Sequence, residues 1–330
     1  MAAASAAPPG FLVDGLARVE SALVSSVVTH DPFLTEVASH LIKAGGKRVR
    51  PAFAVAAAAT VSTDDAPVTD EVILGGVAVE LVHLGSLYHD DVIDEATTRR
   101  TVASVNARWG NLTAILAGDF LLAKASEIAA SLGTEVAGLL AATIGRLCEG
   151  EVAELRTAYD LARTEEAYLD SIRGKTAALF STSCRIGALV AGLPRAEVDV
   201  LTEFGDRYGI AFQIVDDILD VVATDQELGK PAGHDLVEGV YTLPVLRALA
   251  GDSPELRKLL GRPLSDEDKE RARALVRGDG AVGAAIEAAT EWVEASRGSL
   301  ATLRQSDSTA WLAGAAGELL TRVTTYAAAV

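Results

Sequence analysis

The 330-residue chain is short of most residues that would mark a covalent, redox or nucleic-acid function. It has two cysteines, Cys148 and Cys184, both in apolar stretches and without a CxxC spacing. That argues against a disulfide scaffold or a thiolate metal site, and leaves two buried, reduced thiols as the expectation. Aromatic residues make up only 5%, and alternation of apolar and polar residues is missing, so strands have little support. Positive charge is scarce as well. The 29 Lys and Arg stand against 46 Asp and Glu, a net charge of −17 that argues against a nucleic-acid backbone as partner. Mean hydropathy is +0.26, yet no apolar run reaches the roughly 18 residues of a membrane span. The most apolar stretch, VILGGVAVELVHLGSLY, is interrupted by Glu80 and His83. The N-terminal MAAASAAPPG lacks the charged start of a secretory signal, so no transmembrane span and a cytoplasmic location are expected.

Alanine, leucine and valine dominate instead, with apolar residues recurring at i, i+3, i+4 and i+7 from about Phe11 to the C-terminus. Turn clusters such as STDDAPVTD, LGKPAGHD and GRPLSDED punctuate this pattern, and no Ser/Pro-rich linker divides it. The fold class expected is all-α. A disordered N-terminus over residues 1–10 and a single helical domain over residues 11–330 are expected. Ser265 is the expected N-cap of the helix starting DEDKERARALV.

Two acidic clusters interrupt the apolar helices: Asp90, Asp91 and Asp94 in HDDVIDEATTRR, and Asp216, Asp217 and Asp220 in FQIVDDILD. On a helix, positions i and i+4 lie about 5–6 Å apart at Cβ, so each DDxxD presents a pair of carboxylates on one face. A lone acidic pair is usually a solvated face. Flanks such as LVHLGSLYH and IAFQIV are those of buried helices, however, and buried carboxylates are costly without a cation. All-oxygen donors favour Mg²⁺, which is held by a few carboxylates together with substrate phosphate oxygens. Two such prongs suggest a diphosphate clamp. Of the seven lysines, Lys47, Lys175 and Lys230 each lie next to or near glycine in the strings GGKRVRP, GKTAALF and LGKPAGHDL. Lysine gives a point charge and arginine a bidentate grip, so a mixed set suits two different diphosphates.

In order along the chain these strings, with ELVHLGSLYHDDVIDEATTRR, WGNLTAILAGDFLLAKA and AFQIVDDILD, resemble the trans-isoprenyl (polyprenyl) diphosphate synthase family. The resemblance spans Gly45 to Pro244, 200 of 330 residues. It implies a large helical bundle of the isoprenoid synthase type with a central substrate cavity, a homodimer, and product delivery to membrane enzymes. It also implies a Mg²⁺-dependent head-to-tail condensation of isopentenyl diphosphate with an allylic prenyl diphosphate. Carried over residue by residue, Asp90 and Asp94 face Asp216 across the cavity as metal ligands, while Asp91, Asp217 and Asp220 act through water or from behind. Lys47, Arg50, His83 and Arg100 go to isopentenyl diphosphate. Arg99, Lys175, Thr176, Gln213 and Lys230 go to the allylic diphosphate. His89 is read as a satisfied helix histidine, His30 and His40 as surface residues, and the C-terminal segment as packing.

Two positions depart from the family pattern: Val240 stands where a lysine is common, and Glu154 where glutamine is common. A class I terpene cyclase would carry an NDxxSxxxE-like second motif, and a regulatory subunit would carry damaged aspartate clusters; this chain has neither feature. Chain length is read from Gly85 and Ser86, the fifth and fourth residues before Asp90, about 6–7.5 Å back along the helix. Short-chain relatives place an aromatic there, so a medium- or long-chain product is expected rather than farnesyl or geranylgeranyl diphosphate. On this reading a Phe or Tyr at position 85 would floor the cavity, with Val79 and Val82 among its walls.

Overall fold

A computed structural model describes residues 8–60, 68–228, 231–251, 253–278 and 280–327. The long helices are α1 (Gly10–Ser26), α2 (Val49–Ala59), α3 (Asp70–Ile93), α4 (Asn111–Ser131), α5 (Thr134–Arg156), α6 (Ala178–Val190), α7 (Arg195–Val222), α8 (Ala281–Ser299) and α9 (Asp307–Ala327). Among the described residues the only sheet is a two-residue hairpin, Thr98–Arg99 against Val102–Ala103. The all-α expectation therefore holds, and the two acidic clusters lie late in α3 and α7.

Helix α3 starts where Thr69 Oγ1 accepts from the Val72 amide, with Asp70 and Glu71 in the first turn complementing the positive helix end. Apart from Glu80 and His83 its middle is apolar: Val77, Ala78, Val79, Leu81, Val82 and Leu84 are fully buried. A helix that is apolar all round belongs in a core, and α3 packs on α1, α2, α4 and α6. It is also long and apolar enough to cross a membrane, but 72% of its most apolar window is buried within the protein. Helix α7 packs on α6 and α8. Gly205 makes this possible, since a Cβ there would lie 2.7 Å from the Phe180 carbonyl oxygen.

The few aromatics are concentrated where α2, α6, α7 and α9 meet. Phe53 lies 4.4 Å from Tyr208, 5.5 Å from Phe180 and 5.8 Å from Trp311, centroid to centroid. Such pairs add about 0.5–1.5 kcal/mol each beyond burial, so this cluster fixes the C-terminal helix onto the rest. Ser265 Oγ accepts from the Asp268 amide, as the N-cap reading required. Cys184 is buried, whereas Cys148 is exposed because its side of α5 borders a cavity. His40 is not a free surface residue: it packs edge-on to Trp109 at 5.0 Å and bonds the Ala103 carbonyl.

Candidate active site

The first acidic cluster occupies the last turn of α3. Asp90 and Asp91 are helical and Asp94 is the C-cap, its amide donating to the Asp90 carbonyl. The end of a helix carries partial negative charge, so three carboxylates there oppose the dipole as well as one another. Burial pushes Asp90 up to about 7, against the pull of Lys175, and Glu151 and Asp94 push it further. Asp91 is fully buried. Its Oδ1 accepts from Arg99 at 2.7 Å, while its Oδ2 has no hydrogen-bond partner. Such a set of half-neutralised, oxygen-only donors fits a hard divalent cation.

The second cluster is divided by its helix. Asp217 is buried, accepting from the Tyr168 hydroxyl at 2.6 Å and the Gln213 amide at 2.8 Å; burial raises it to about 7. Gln213 in turn accepts from Thr176 Oγ1 at 2.7 Å. Asp220 receives the amides of His234 and Asp235, capping the short helix His234–Glu238. Of the second cluster it is Asp217 that lines the polar cavity together with Asp94. One residue is a rotation of about 100° on a helix of 3.6 residues per turn, and Asp216 lies 3.6 Å from Arg322. Among the described residues no three His, Cys, Asp or Glu side chains converge closely enough to hold an ion alone. A cation here would complete its shell with water and phosphate oxygens, the habit of Mg²⁺.

Lys175 and Thr176 sit on a π-helical turn, Arg173–Ala177, between the short helix Glu165–Ile172 and α6. Such turns concentrate at functional sites because they turn a side chain out of the regular helical row. Lys175 Nζ is gripped by Glu151 at 2.7 Å and Glu154 at 2.6 Å. Burial works against its charge, but the two glutamates more than offset that and raise its pKa.

A second group of cations surrounds Glu80, which is almost fully buried on α3. Arg48 pairs with it at 3.0 Å and grips Glu20 with two nitrogens, and Arg100 lies 3.9 Å away. Arg50 lies over the Phe180 ring at 4.7 Å, lowered to about 10 by burial, with a buried Nε that has no partner. Burial, then Arg50 and Arg100, drive His83 well below its usual range, so it is neutral. Lys47 is exposed. Arg48, Arg100 and Thr101 adopt left-handed backbone, a cost accepted where side chains must converge. Glu80→Ala should strand these arginines and lower stability by about 3–5 kcal/mol, the usual cost of breaking a buried pair. The denaturant midpoint measures this, and an unchanged midpoint would refute the role of Glu80.

Two cavities meet at Glu151, Leu155 and Lys175. The first, about 140 Å³, is polar and lined by Asp94, Thr176, Gln213, Asp217, His234 and Asp235 among others. The second, about 280 Å³, is walled by Ser86, Ile93, Leu122, Ile144, Leu147, Cys148 and Val152, with Asp90 at its polar end. Ser86 thus lies where the sequence placed it. Gly85 does not: it faces α4, where a Cβ would lie 3.1 Å from the Gly118 carbonyl oxygen and 3.2 Å from Leu122. Val79 and Val82 likewise belong to the packed core rather than the cavity wall. Arg99 serves Asp91. His89 bonds the Ile115 carbonyl, as a satisfied helix histidine should. Lys230 lies outside the described residues. Sequence reasoning missed Glu80, Arg48, Glu151 and Tyr168 as site residues; only Glu80, a lone acid in an apolar run, carried a visible signal.

A family model described as polyprenyl synthetase matches residues 31–277, most of the chain and both acidic clusters. The chain belongs to this family. The nonaprenyl diphosphate synthase of Mycobacterium tuberculosis is 39% identical over 293 residues, covering 88% of this chain and 87% of that one. A polyprenyl synthase from Caulobacter crescentus, solved in complex with calcium and isoprenyl diphosphate, has a TM-score of 0.89 and 33% identity over 97% of this chain and 99% of its own. A geranylgeranyl pyrophosphate synthase from Corynebacterium glutamicum, also complexed with calcium and isoprenyl diphosphate, has a TM-score of 0.82 and 39% identity over 94% and 96% of the two chains. Polyprenyl synthetase likeness therefore extends to both longer- and shorter-chain members.

Proposed function

We propose that this polyprenyl synthetase condenses isopentenyl diphosphate head to tail with an allylic prenyl diphosphate, in a Mg²⁺-dependent reaction that makes a medium- or long-chain all-trans product. The observation that carries this is the junction of a polar and an apolar cavity at Lys175, with Asp90 and Asp94 beside it. A diphosphate fits the first cavity and a growing hydrocarbon tail the second. Bound magnesium would neutralise charge on the departing diphosphate, held by Asp90, Asp94 and a carboxylate of α7. Lys175, Thr176 and Gln213 orient the allylic diphosphate; Arg50, Lys47, neutral His83 and Arg100 receive the homoallylic one. The apolar wall excludes water from the allylic cation, and the proton lost after coupling leaves with the released diphosphate. A class I cyclase has no use for the second cationic group around Glu80. The test is incubation of the protein with Mg²⁺, isopentenyl diphosphate and allylic starters of increasing length, followed by chromatography of the dephosphorylated products. Absence of chain-extended products refutes the reading.

Leu112, Ile115 and Leu116 form an exposed apolar stripe on α4, and Val152 and Leu155 of α5, which border the tail cavity, are also exposed. Contiguous apolar surface of this kind suits an interface, and we assign it to a homodimer of a cytoplasmic enzyme whose product passes to membrane enzymes. Arg50→Ala should raise KM for isopentenyl diphosphate about tenfold or more, the worth of one charge-assisted hydrogen bond, with KM for the allylic substrate little changed. Equal rises in both KM values would show the cations to be divided otherwise.

A further inference from the structure

Arg322 belongs to no recognised motif, yet it is the residue that Asp216 meets. Its Nη2 lies 3.6 Å from Asp216 Oδ1, with 37% and 41% of the two side chains exposed. That separation is too long for a hydrogen bond, and a loose, half-exposed ion pair contributes little to stability. Stability therefore does not explain the contact, and its weakness makes it easy to exchange.

Helix α9 holds Arg322 in place from both directions. At its start, Ser308 Oγ donates to the Ala56 carbonyl and Trp311 packs against Phe53, both on α2, the helix that carries Arg50. At its end, Tyr326 lies beside Glu227, just after the second acidic cluster. Between these anchors Arg322 and Arg50 both act on Tyr208: burial raises its hydroxyl pKa, and the two arginines oppose the rise. Arg322 therefore lies on a helix that packs both on α7, which carries Asp216, and on α2, which carries Arg50.

We propose that Arg322 is an exchangeable counter-ion that pairs with Asp216 in the metal-free protein and turns to the diphosphate of isopentenyl diphosphate once a divalent cation takes Asp216. The inference rests on the proposed function and assigns its second substrate a further binding residue. Two cations cannot share one half-exposed carboxylate without repulsion, so metal binding frees the guanidinium at the moment a second anion must be bound. By linkage, metal and isopentenyl diphosphate then tighten each other's binding.

The test needs no turnover. Mn²⁺ binding is followed by electron paramagnetic resonance and isopentenyl diphosphate binding by calorimetry, each with and without the other ligand, in full-length protein. In the wild type Mn²⁺ should tighten isopentenyl diphosphate. Arg322→Ala should bind Mn²⁺ alone more tightly, bind isopentenyl diphosphate about tenfold more weakly when Mn²⁺ is present, and lose the coupling. Arg322→Lys should restore part of it. Asp216→Asn, which leaves α9 untouched, should strengthen metal-free binding of isopentenyl diphosphate by freeing Arg322. Wild-type condensation together with unchanged isopentenyl diphosphate affinity in Arg322→Ala overturns the role of Arg322, as does an Asp216→Asn variant whose metal-free affinity is no higher. A wild type that binds neither Mn²⁺ nor either diphosphate overturns the functional reading and the proposal together.

Discussion

Asp90→Ala should reduce condensation by about 10³-fold or more at saturating Mg²⁺, about 4 kcal/mol of lost transition-state stabilisation on a scale of roughly 1.4 kcal/mol per tenfold. The fold should survive, because Asp90 lies at the half-buried end of α3, past the packed stretch from Val77 to Leu84. The metal-free protein should even gain stability. Asp90, raised to about 7 mainly by burial, is easier to protonate folded than unfolded, where a carboxyl titrates near 4. Asp217, also raised to about 7, behaves alike. Above about pH 4 the folded state thus binds more protons than the unfolded one, so these groups make metal-free stability fall as pH rises from about 4 through 7. Thermal melts in chelator at pH 5 and pH 8 measure that slope. It should be shallower in Asp90→Ala, and Mg²⁺ with a diphosphate should flatten it in the wild type. Near-wild-type turnover by the variant would remove Asp90 from the site.

Much of this site was legible because its chemistry conflicts with its surroundings. Aspartates inside apolar helices demand an explanation from sequence alone, and Asp90, Asp94, Lys175, Thr176 and Gln213 do border the junction of the cavities or the polar cavity itself. One helix start was equally readable, since Ser265 Oγ accepts from the Asp268 amide at the head of DEDKERARALV. What the pattern could not supply was rotation and partner choice. Asp216 and Asp217 differ by one residue, and only packing decides that Tyr168 and Gln213 claim the second while Arg322 claims the first. Likewise GGKRVRP singles out neither Arg48 nor its partners; Glu20 and Glu80 lie 28 and 32 residues further back or on, in other helices. Periodicity places Gly85 and Ser86 side by side, but the close approach of Gly118 on α4 decides which of them borders the cavity.

That distinction reverses an expectation about product length. A tyrosine at position 85 was to floor the tail cavity, yet its Cβ would already press on the Gly118 carbonyl and Leu122 at 3.1–3.2 Å. Overpacking of a core contact costs typically about 1–3 kcal/mol and moves backbone, so Gly85→Tyr should lower the melting temperature and the yield of all products together. Ser86 borders the cavity, facing Leu122, Ile144 and Leu147, and its hydroxyl is spent only on the His83 carbonyl of its own helix. Replacing it with Phe or Tyr puts a ring into the apolar space, one helical turn, about 6 Å along the axis, behind Asp90. The first condensation needs only the space nearest Asp90 and should proceed at close to the normal rate. Later ones should stall, so Ser86→Phe moves the product from medium or long chain to farnesyl or geranylgeranyl diphosphate. Chromatography of dephosphorylated products with isopentenyl diphosphate in excess reads the shift directly. An unchanged distribution in Ser86→Phe, or a wild type that itself stops at geranylgeranyl diphosphate, would mean that the tail does not run along this face of α3.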